Sequence, residues 1–354
     1  MGSPPKQPAA ASPSRGRHQR PGEAGSAVAA GWGLPARRAL LAILASLPFT
    51  TAIAQGYPTK PVRIIVPQPP GGGFDTVGRL MADRMGKLTG QGFVVENRTG
   101  SGTLVGTDAA AKAAPDGYTL LVGSVSNLAL NPGLYPNLPY DSLKDFEPVG
   151  LLVSYSYTLV GRKDLPYGNL QEVLAYAKAN PGKLTYASAG VGSGQHVLAA
   201  ALWHLAKVDV AHVPYRGAQP AYQDLLGGRV DLFFDLSPTA RVQVDAGNAK
   251  ALAVSGAARN SMHPQVPTVL ESGAAPLELE SWFGLFAPAK TPPEVLQKLR
   301  ADFARMAAMP DVQETLLKTG GKPLALVGDD ARTVVRRDVD HWSRLVKTMG
   351  IRAE

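Results

Sequence analysis

The sequence predicts an α/β protein made of two lobes, each built on a parallel sheet, that face one another across a cleft. Three observations lead there. Short β-branched runs alternate with amphipathic stretches from about residue 62 to residue 254, the spacing of parallel strands joined by crossover helices. Two of the strand-to-helix turns are rich in glycine: residues 67–75 read PQPPGGGFD and residues 188–196 read SAGVGSGQH. Beyond about residue 287 the apolar positions recur at helical spacing with no further strand pattern, so these helices must bury their stripes on a lobe already formed.

The first strand of the mature chain is Val62-Arg63-Ile64-Ile65-Val66, whose nearly continuous apolarity predicts burial on both faces. Gly71, Gly72 and Gly73 follow it, and an amphipathic helix starts near Asp75 and stops at Gly90. A strand over 93–97, the small-residue turn Thr99-Gly100-Ser101-Gly102, a helix over 103–113 and a strand over 118–122 complete the first unit. Residues 124–131 leave that third strand beside the glycine turn, which makes Ser124, Ser126 and Asn127 candidate donors to a ligand. Two strand-like runs over 149–153 and 158–162 carry the chain across. The βα rhythm then repeats: helices over 170–179, 195–207, 219–226 and 238–246, and strands over 184–187, 208–213, 230–234 and 249–254. A strand over 280–287 leads back. The expected organisation is therefore a leader over 1–54, a first domain over 55–157 and 282–354, and a second over 158–281.

The formal charge of +8 invites a nucleic-acid or membrane partner, but its distribution does not. Residues 1–54 hold six of the 36 basic side chains and one of the 28 acidic ones, so the rest is nearly balanced, and no Lys/Arg cluster remains to follow a phosphate backbone. Arg37-Arg38, the apolar run over 39–47 and Ala52-Ile53-Ala54 form a secretory signal, with cleavage expected after Ala54. The run is too short for a spanning helix of about 20 residues. The Pro/Ala/Ser/Gly/Arg-rich segment ahead of it is unusual before a signal, and initiation at Val28 or Leu34 would give a leader of ordinary length. The chain has no cysteine, which is compatible with an oxidising compartment.

The glycine turn removes β-carbons where a helix begins, so a ligand can reach the main chain. Unpaired N–H groups and the positive end of the helix dipole make that place a seat for a carboxylate or phosphate. A tight turn that needs glycine only for geometry would look the same. The turn has neither the G-x-G-x-x-G spacing of a dinucleotide site nor the G-K-[ST] of a P-loop. The second loop, with Ser188, Gly192, Ser193 and His196, repeats the arrangement in the other lobe. Two such helix starts across one cleft would grip a carboxylate from both sides, and about four charge-assisted hydrogen bonds of ~1.5–3 kcal/mol each are enough for micromolar capture after the cost of association. Ser193 and His196 also raise a hydrolase reading, but Val191 and Gln195 stand where a G-x-S-x-G elbow needs glycine. His196, His204 and His212 are eight apart and give no metal-binding motif. Asp235 closes a strand at the cleft edge, where it either caps the next helix or meets a ligand amino or hydroxyl group.

Eight ordered blocks give the chain a specific resemblance: YPTKPVRIIVP, PGGGFD, VVENRTGSG, AAPDGYTLL, NPGLYPNLPYDSLKDFEPV, ANPGKLTYASAGVGSGQH, HVPYRGAQPAYQDLLGGRVDLFFD and SWFGLFAPAKTP. Over about residues 57–351 it resembles the solute-binding receptors of tripartite tricarboxylate transporters, the Bug family. The resemblance implies a type II periplasmic binding protein, a monomeric Venus flytrap that captures a small organic carboxylate without catalysis, cofactor or metal. It also implies a membrane transporter of one large and one small subunit as partner. By position, Gly72, Gly73, Phe74 and Asp75 and the loop with Ser188, Gly192, Ser193 and His196 correspond to the family's carboxylate-gripping pair, and Asp235 to a position that lines the pocket in relatives. Gln68 stands where an aromatic residue is common and Phe74 where a small hydroxyl residue is common, so the pocket wall is altered. A sensor subunit that signals rather than transports is the alternative from another class.

Overall fold

The computed structural model describes residues 56–353; the leader and the cleavage expected after Ala54 lie outside the described residues. The first lobe opens with β1 (Val62–Val66), the glycine turn, α1 (Gly73–Thr89), β2 (Phe93–Asn97), α2 (Leu104–Ala111) and β3 (Thr119–Ser124). β1 lies between β2 and β3 and is parallel to both. Ile64 and Ile65 are fully buried, as an apolar run covered on both faces requires. A π-helical turn (Val125–Leu130) and the short α3 (Asn131–Leu134) follow. In the second lobe α4 (Leu170–Ala179), β5 (Thr185–Ser188), α5 (Gly194–Ala206), β6 (Ala211–Pro214), α6 (Ala218–Leu226), β7 (Leu232–Leu236), α7 (Ser237–Asp245) and β8 (Ala249–Val254) alternate. There β5 lies between β6 and β7, again parallel.

The sheets are mixed rather than wholly parallel, and this corrects the expectation of two parallel sheets. The parallel strands are those joined by crossover helices. Every antiparallel pair involves one of the two strands that pass between lobes. Residues 149–162 do not form two strands: β4 (Phe146–Arg162) is one continuous strand of 17 residues. From Phe146 to Ser156 it pairs antiparallel with β9 (Glu280–Pro288), and from Tyr157 to Gly161 with β7. β9 also pairs antiparallel with β3, and β8 pairs antiparallel with β4. The polar stretch Ser154–Ser156 that interrupts the apolar pattern stays extended because its hydroxyls are used: Ser154 donates to Glu280 at 3.1 Å, and Ser156 shares hydrogen bonds with Ser237 and Asn260.

Three long helices or helical hairpins end the chain: α8 (Pro293–Ala307), α9 (Pro310–Lys318) and α10 (Gly328–Thr348). α8 packs on α1 and β4, and α10 on the turn at 125–134 and on β4. Between them lies a strand that periodicity did not reveal, β10 (Lys322–Val327), antiparallel to β4. Its pattern is hidden because Pro323 has no N–H to offer, Ala325 has a φ of 49°, and the register shifts between Pro323 and Leu326. Such interruptions are tolerated on an edge strand. No described helix is long and apolar enough to cross a membrane.

The two strands that pass between lobes run unusually close. A β-carbon on Gly284 of β9 would collide with the carbonyl oxygen of Gly150 and with Leu151, both on β4. Backbone atoms cannot yield as a flexible side-chain end can. Gly284→Ala should therefore lower stability by about 3 kcal/mol or more, read as a fall in the denaturation midpoint, whereas Gly228→Ala, with nothing within 4 Å, should cost about 1 kcal/mol from its positive φ alone.

Candidate functional site

The start of α1 is built from the turn upward. Gly72 is the N-cap, in extended conformation, and no side chain caps the helix. The carboxylate of Asp75 turns back instead: it accepts from the N–H of Gly71 at 3.0 Å, from Arg79 at 2.9 Å and from Asn97 at 2.9 Å. Burial pushes the Asp75 pKa up, but these three donors outweigh it and hold the group below the usual carboxylate range. Asp75 is thus an organiser of the loop, with its oxygens already used. Phe74 points its ring into the core, edge-on to Phe283 at 5.1 Å. What the turn presents to the cleft is backbone from Gly72, Gly73 and the first residues of α1, whose leading N–H groups have no intrahelical acceptor.

Beside it, the π-helical turn carries Ser124, Ser126 and Asn127, all buried. Ser124 and Asn127 form a reciprocal cap: Ser126 N–H donates to Ser124 Oγ at 3.1 Å, and Ser124 N–H to Asn127 Oδ1 at 2.7 Å. Asn127 further donates to Thr107 at 3.0 Å. Their side chains hold the turn, which leaves the Ser126 hydroxyl to meet the other lobe. Its Oγ accepts from the N–H of Gly194 at 3.0 Å, and Gly194 is the first residue of α5 in the other lobe.

The second glycine-rich loop differs from the first in one respect: it satisfies most of its own backbone. Gly190 N–H donates to Ser188 Oγ at 3.2 Å, Gly192 N–H to His196 Nδ1 at 3.3 Å, and His196 N–H to Ser193 Oγ at 3.3 Å. Ser193 is the N-cap of α5. Its hydroxyl meets the backbone of His196, and the imidazole is engaged elsewhere, so the nucleophile-and-base pair of a serine hydrolase is not formed here. Gly194 has to be glycine, since a β-carbon would strike the Tyr157 hydroxyl and Ser126.

His212 on β6 escaped sequence reasoning except as a metal ligand. Its ring stacks on His196, with centroids 4.2 Å apart, and on Tyr186 at 4.8 Å, while its Nε2 shares a 2.7 Å hydrogen bond with Ser188. Strand pairing could have found it: β5 and β6 put His212 beside Tyr186, two residues before Ser188. Burial pushes the pKa of His196 down to about 4 and, with the charge of His196 adding to burial, that of His212 down to about 3. Both rings are neutral supports for the loop at pH 7.

Asp235 lies on the floor of the second lobe, 1% exposed. It accepts from Gln195 at 3.3 Å and from Thr239. Burial raises its pKa to about 6 against the pull of these donors. The residue that follows it, Leu236, touches the first lobe: it occupies the space that a side chain on Gly73 would need. Further contacts join the lobes. Gln219 donates to the carbonyl of Gly71 at 3.4 Å, and a β-carbon on Gly102 would lie 2.6 Å from the carbonyl oxygen of Val191. The turn at 99–102, read from sequence only as a connection, is therefore part of the inter-lobe surface. A cavity of about 670 Å³ opens there between Pro69, Ser101 and Tyr135 on one side and Gly190, Tyr215 and Arg216 on the other; it adjoins the two glycine-rich loops, and none of the ligand-binding residues expected from the sequence lines it.

Residues 77–351 match the model of the tripartite tricarboxylate transporter family receptor. The chain belongs to this family. A curated relative from Pseudomonas sp. strain P51, described as a UPF0065 protein in the tcbD-tcbE intergenic region, is 37% identical over 314 residues, covering 88% of this chain and 93% of the relative. The solved structure of the periplasmic binding protein BugD superposes with a TM-score of 0.80 at 36% identity, over 84% of this chain and all but 1% of BugD. MatC from Rhodopseudomonas palustris, solved with bound malate, superposes at 0.78 with 34% identity, over 82% of this chain and 100% of MatC. This receptor accordingly has the two-lobed fold of periplasmic solute-binding proteins.

The stacked histidines give this receptor a defined acid sensitivity. A base whose folded-state pKa lies below its unfolded value contributes stability that is complete above the unfolded value of about 6.5 and is lost as pH falls towards the folded value. His212→Gln keeps a hydrogen-bonding group for Ser188 and removes one titrating ring. Between pH 7 and pH 4.5 the loss of stability should be smaller in this variant than in the parent by on the order of 1 kcal/mol, measured by denaturant unfolding at each pH.

Proposed function

We propose that this protein is a periplasmic receptor that closes its two lobes on a small organic carboxylate and delivers it to a two-subunit membrane transporter. The observation that carries this reading is the uncapped start of α1 behind Gly72 and Gly73, set in a contact surface where the other lobe arrives through Gly194 and Leu236. An uncapped helix start with its carboxylate neighbour already committed to Arg79 and Asn97 is electrostatically open to one further anion. The malate of MatC is a ligand of the same chemistry in a relative matched over its whole length.

On this reading residues 55–157 with 282–354 and residues 158–281 are the two moving bodies, joined through β4 and β9. Gly72, Gly73, Phe74 and Asp75 would meet the carboxylate through backbone N–H groups. Ser126, Gly192, Ser193 and His196 would close over it, with Ser124, Asn127 and Ser188 holding the turns and Asp235 the floor of the second lobe. Export through a leader cut after Ala54 would deliver a monomer to the periplasm. No chemical step is required of any residue.

A thermal-shift screen tests this, using protein unfolded and refolded to strip carried solute. A carboxylate present at 100 times its Kd should add about 2.7 kcal/mol of stability; a panel in which only uncharged solutes shift the protein overturns the reading. Gly73→Ala should then weaken the carboxylate that scores by about tenfold or more, because the added methyl group would overlap Leu236 of the other lobe in the arrangement seen here; an unchanged affinity in a folded variant overturns the placement.

A further inference from the structure

Three carboxylates are buried among the described residues, and one of them has no cation. Asp75 is met by Arg79 and Asp302 by Lys298. Asp235, the most deeply buried of the three, accepts from neutral groups: the Gln195 amide at 3.3 Å and the Thr239 hydroxyl. It lies on β7 opposite Thr158 of β4 and is enclosed by α5, α6 and α7. The titratable groups that face it are phenols, Tyr157 from β4 and Tyr222 from α6, and burial keeps both in the neutral form. Asparagine would fill the same place without the cost of desolvating a charge. The cavity at the cleft mouth does not include Asp235, and both of its oxygens are engaged, so it is not placed to meet an ammonium group of a solute.

The carboxylate nevertheless lies close behind the surfaces that close on the anion seat. Gln195 adjoins Gly194, whose N–H meets Ser126 of the first lobe at 3.0 Å, and Leu236, next to Asp235, fills the space over Gly73. A buried negative charge without a counter-ion opposes a second one brought into the same low-dielectric interior. Protonation removes the conflict, and burial already raises the pKa of this group to about 6, within reach of neutral pH. We propose that the receptor captures its anion together with one proton, which Asp235 takes up from solvent as the lobes close. This rests on the carboxylate reading above and adds a pH dependence to it. The proton adds to one carboxylate oxygen, and no bond of the solute changes. The sign follows from linkage: a bound anion raises the proton affinity of Asp235, so affinity for the anion rises as pH falls from the bound pKa towards the free one and levels off below it. His196 and His212 stay neutral through that interval, because burial places their pKa values lower.

Titration calorimetry between pH 8 and pH 5.5 provides the test, in two buffers of different ionisation heat. The probes are carboxylates that stay ionised over this range, tartrate, pyruvate and oxalate among them. If capture raises the proton affinity of Asp235 about tenfold, the parent should bind about sevenfold more tightly at pH 5.5 than at pH 8 and take up about half a proton per solute near pH 6.5. Asp235→Asn carries no charge at any pH. It should bind at pH 8 about as tightly as the parent does at pH 5.5, with the pH dependence gone. No uptake by the parent, uptake that persists in the folded variant, or a folded variant that is weaker at every pH overturns the proton on Asp235 and leaves the receptor reading in place. A folded parent that binds no carboxylate at any pH overturns both.

Discussion

Everything in this molecule is referred to one strand that belongs to two sheets. β4 pairs with β9 over its first eleven residues and with β7 over the next five, so the hydrogen-bond ladder of one lobe continues into the other without a break in the chain. The lobes cannot be placed independently once this strand is formed. Its central residues have to be polar, because at the changeover the sheet face is left to serve both lobes. The hydroxyls of Ser156, Thr158 and Ser237 meet there at 2.9–3.0 Å, a buried cluster that also accepts from Asn260 at 3.2 Å. A small network of short hydroxyls can exchange partners as the strand twists, whereas a packed apolar core would resist.

The polar interior of the cleft is arranged so that side chains hold backbone and backbone faces outward. Asp75, Ser124, Asn127, Ser188 and Ser193 each spend their oxygen atoms on nearby N–H groups. That is the reason a site can be lined by so many hydroxyl and carboxamide groups and yet offer few free ones. It also explains the stacked imidazoles: a flat neutral ring supports a glycine loop, accepts one hydrogen bond from it and brings no charge near an anion at neutral pH.

The elements that depend on local pattern were legible in the sequence, and those that depend on what lies opposite were not. β1, the glycine turn and α1 followed from a β-branched run, three glycines and a helical stripe, and β8 was placed to the residue. β10 was hidden because Pro323 and Ala325 break its alternation. β4 looked like two strands because its changeover residues are polar for a reason that lies on other strands. At the site, the residue types were readable but their division of labour was not. Phe74 turns into the core, and Asp75 turns back to Gly71, for reasons set by Phe283 and Asn97, which are distant in sequence. Similarly, His212 was visible only as a histidine, since its place under the loop depends on the pairing of β5 with β6.

The two glycine-rich loops look alike as sequence, but the first leaves the start of its helix uncapped and the second is closed on itself, and under the proposed function this difference would set an order of events. A solute arriving in the open cleft finds N–H groups without partners on the first lobe and a largely self-satisfied loop on the second. On the function proposed above, capture would begin on the first lobe, and the second lobe would follow as a cover whose Gly194 rests on Ser126. Under that sequence the association rate belongs to the first lobe, and the residence time belongs to how often the cover lifts. Substitutions on the two sides of the cleft can reach the same equilibrium affinity by opposite kinetic routes.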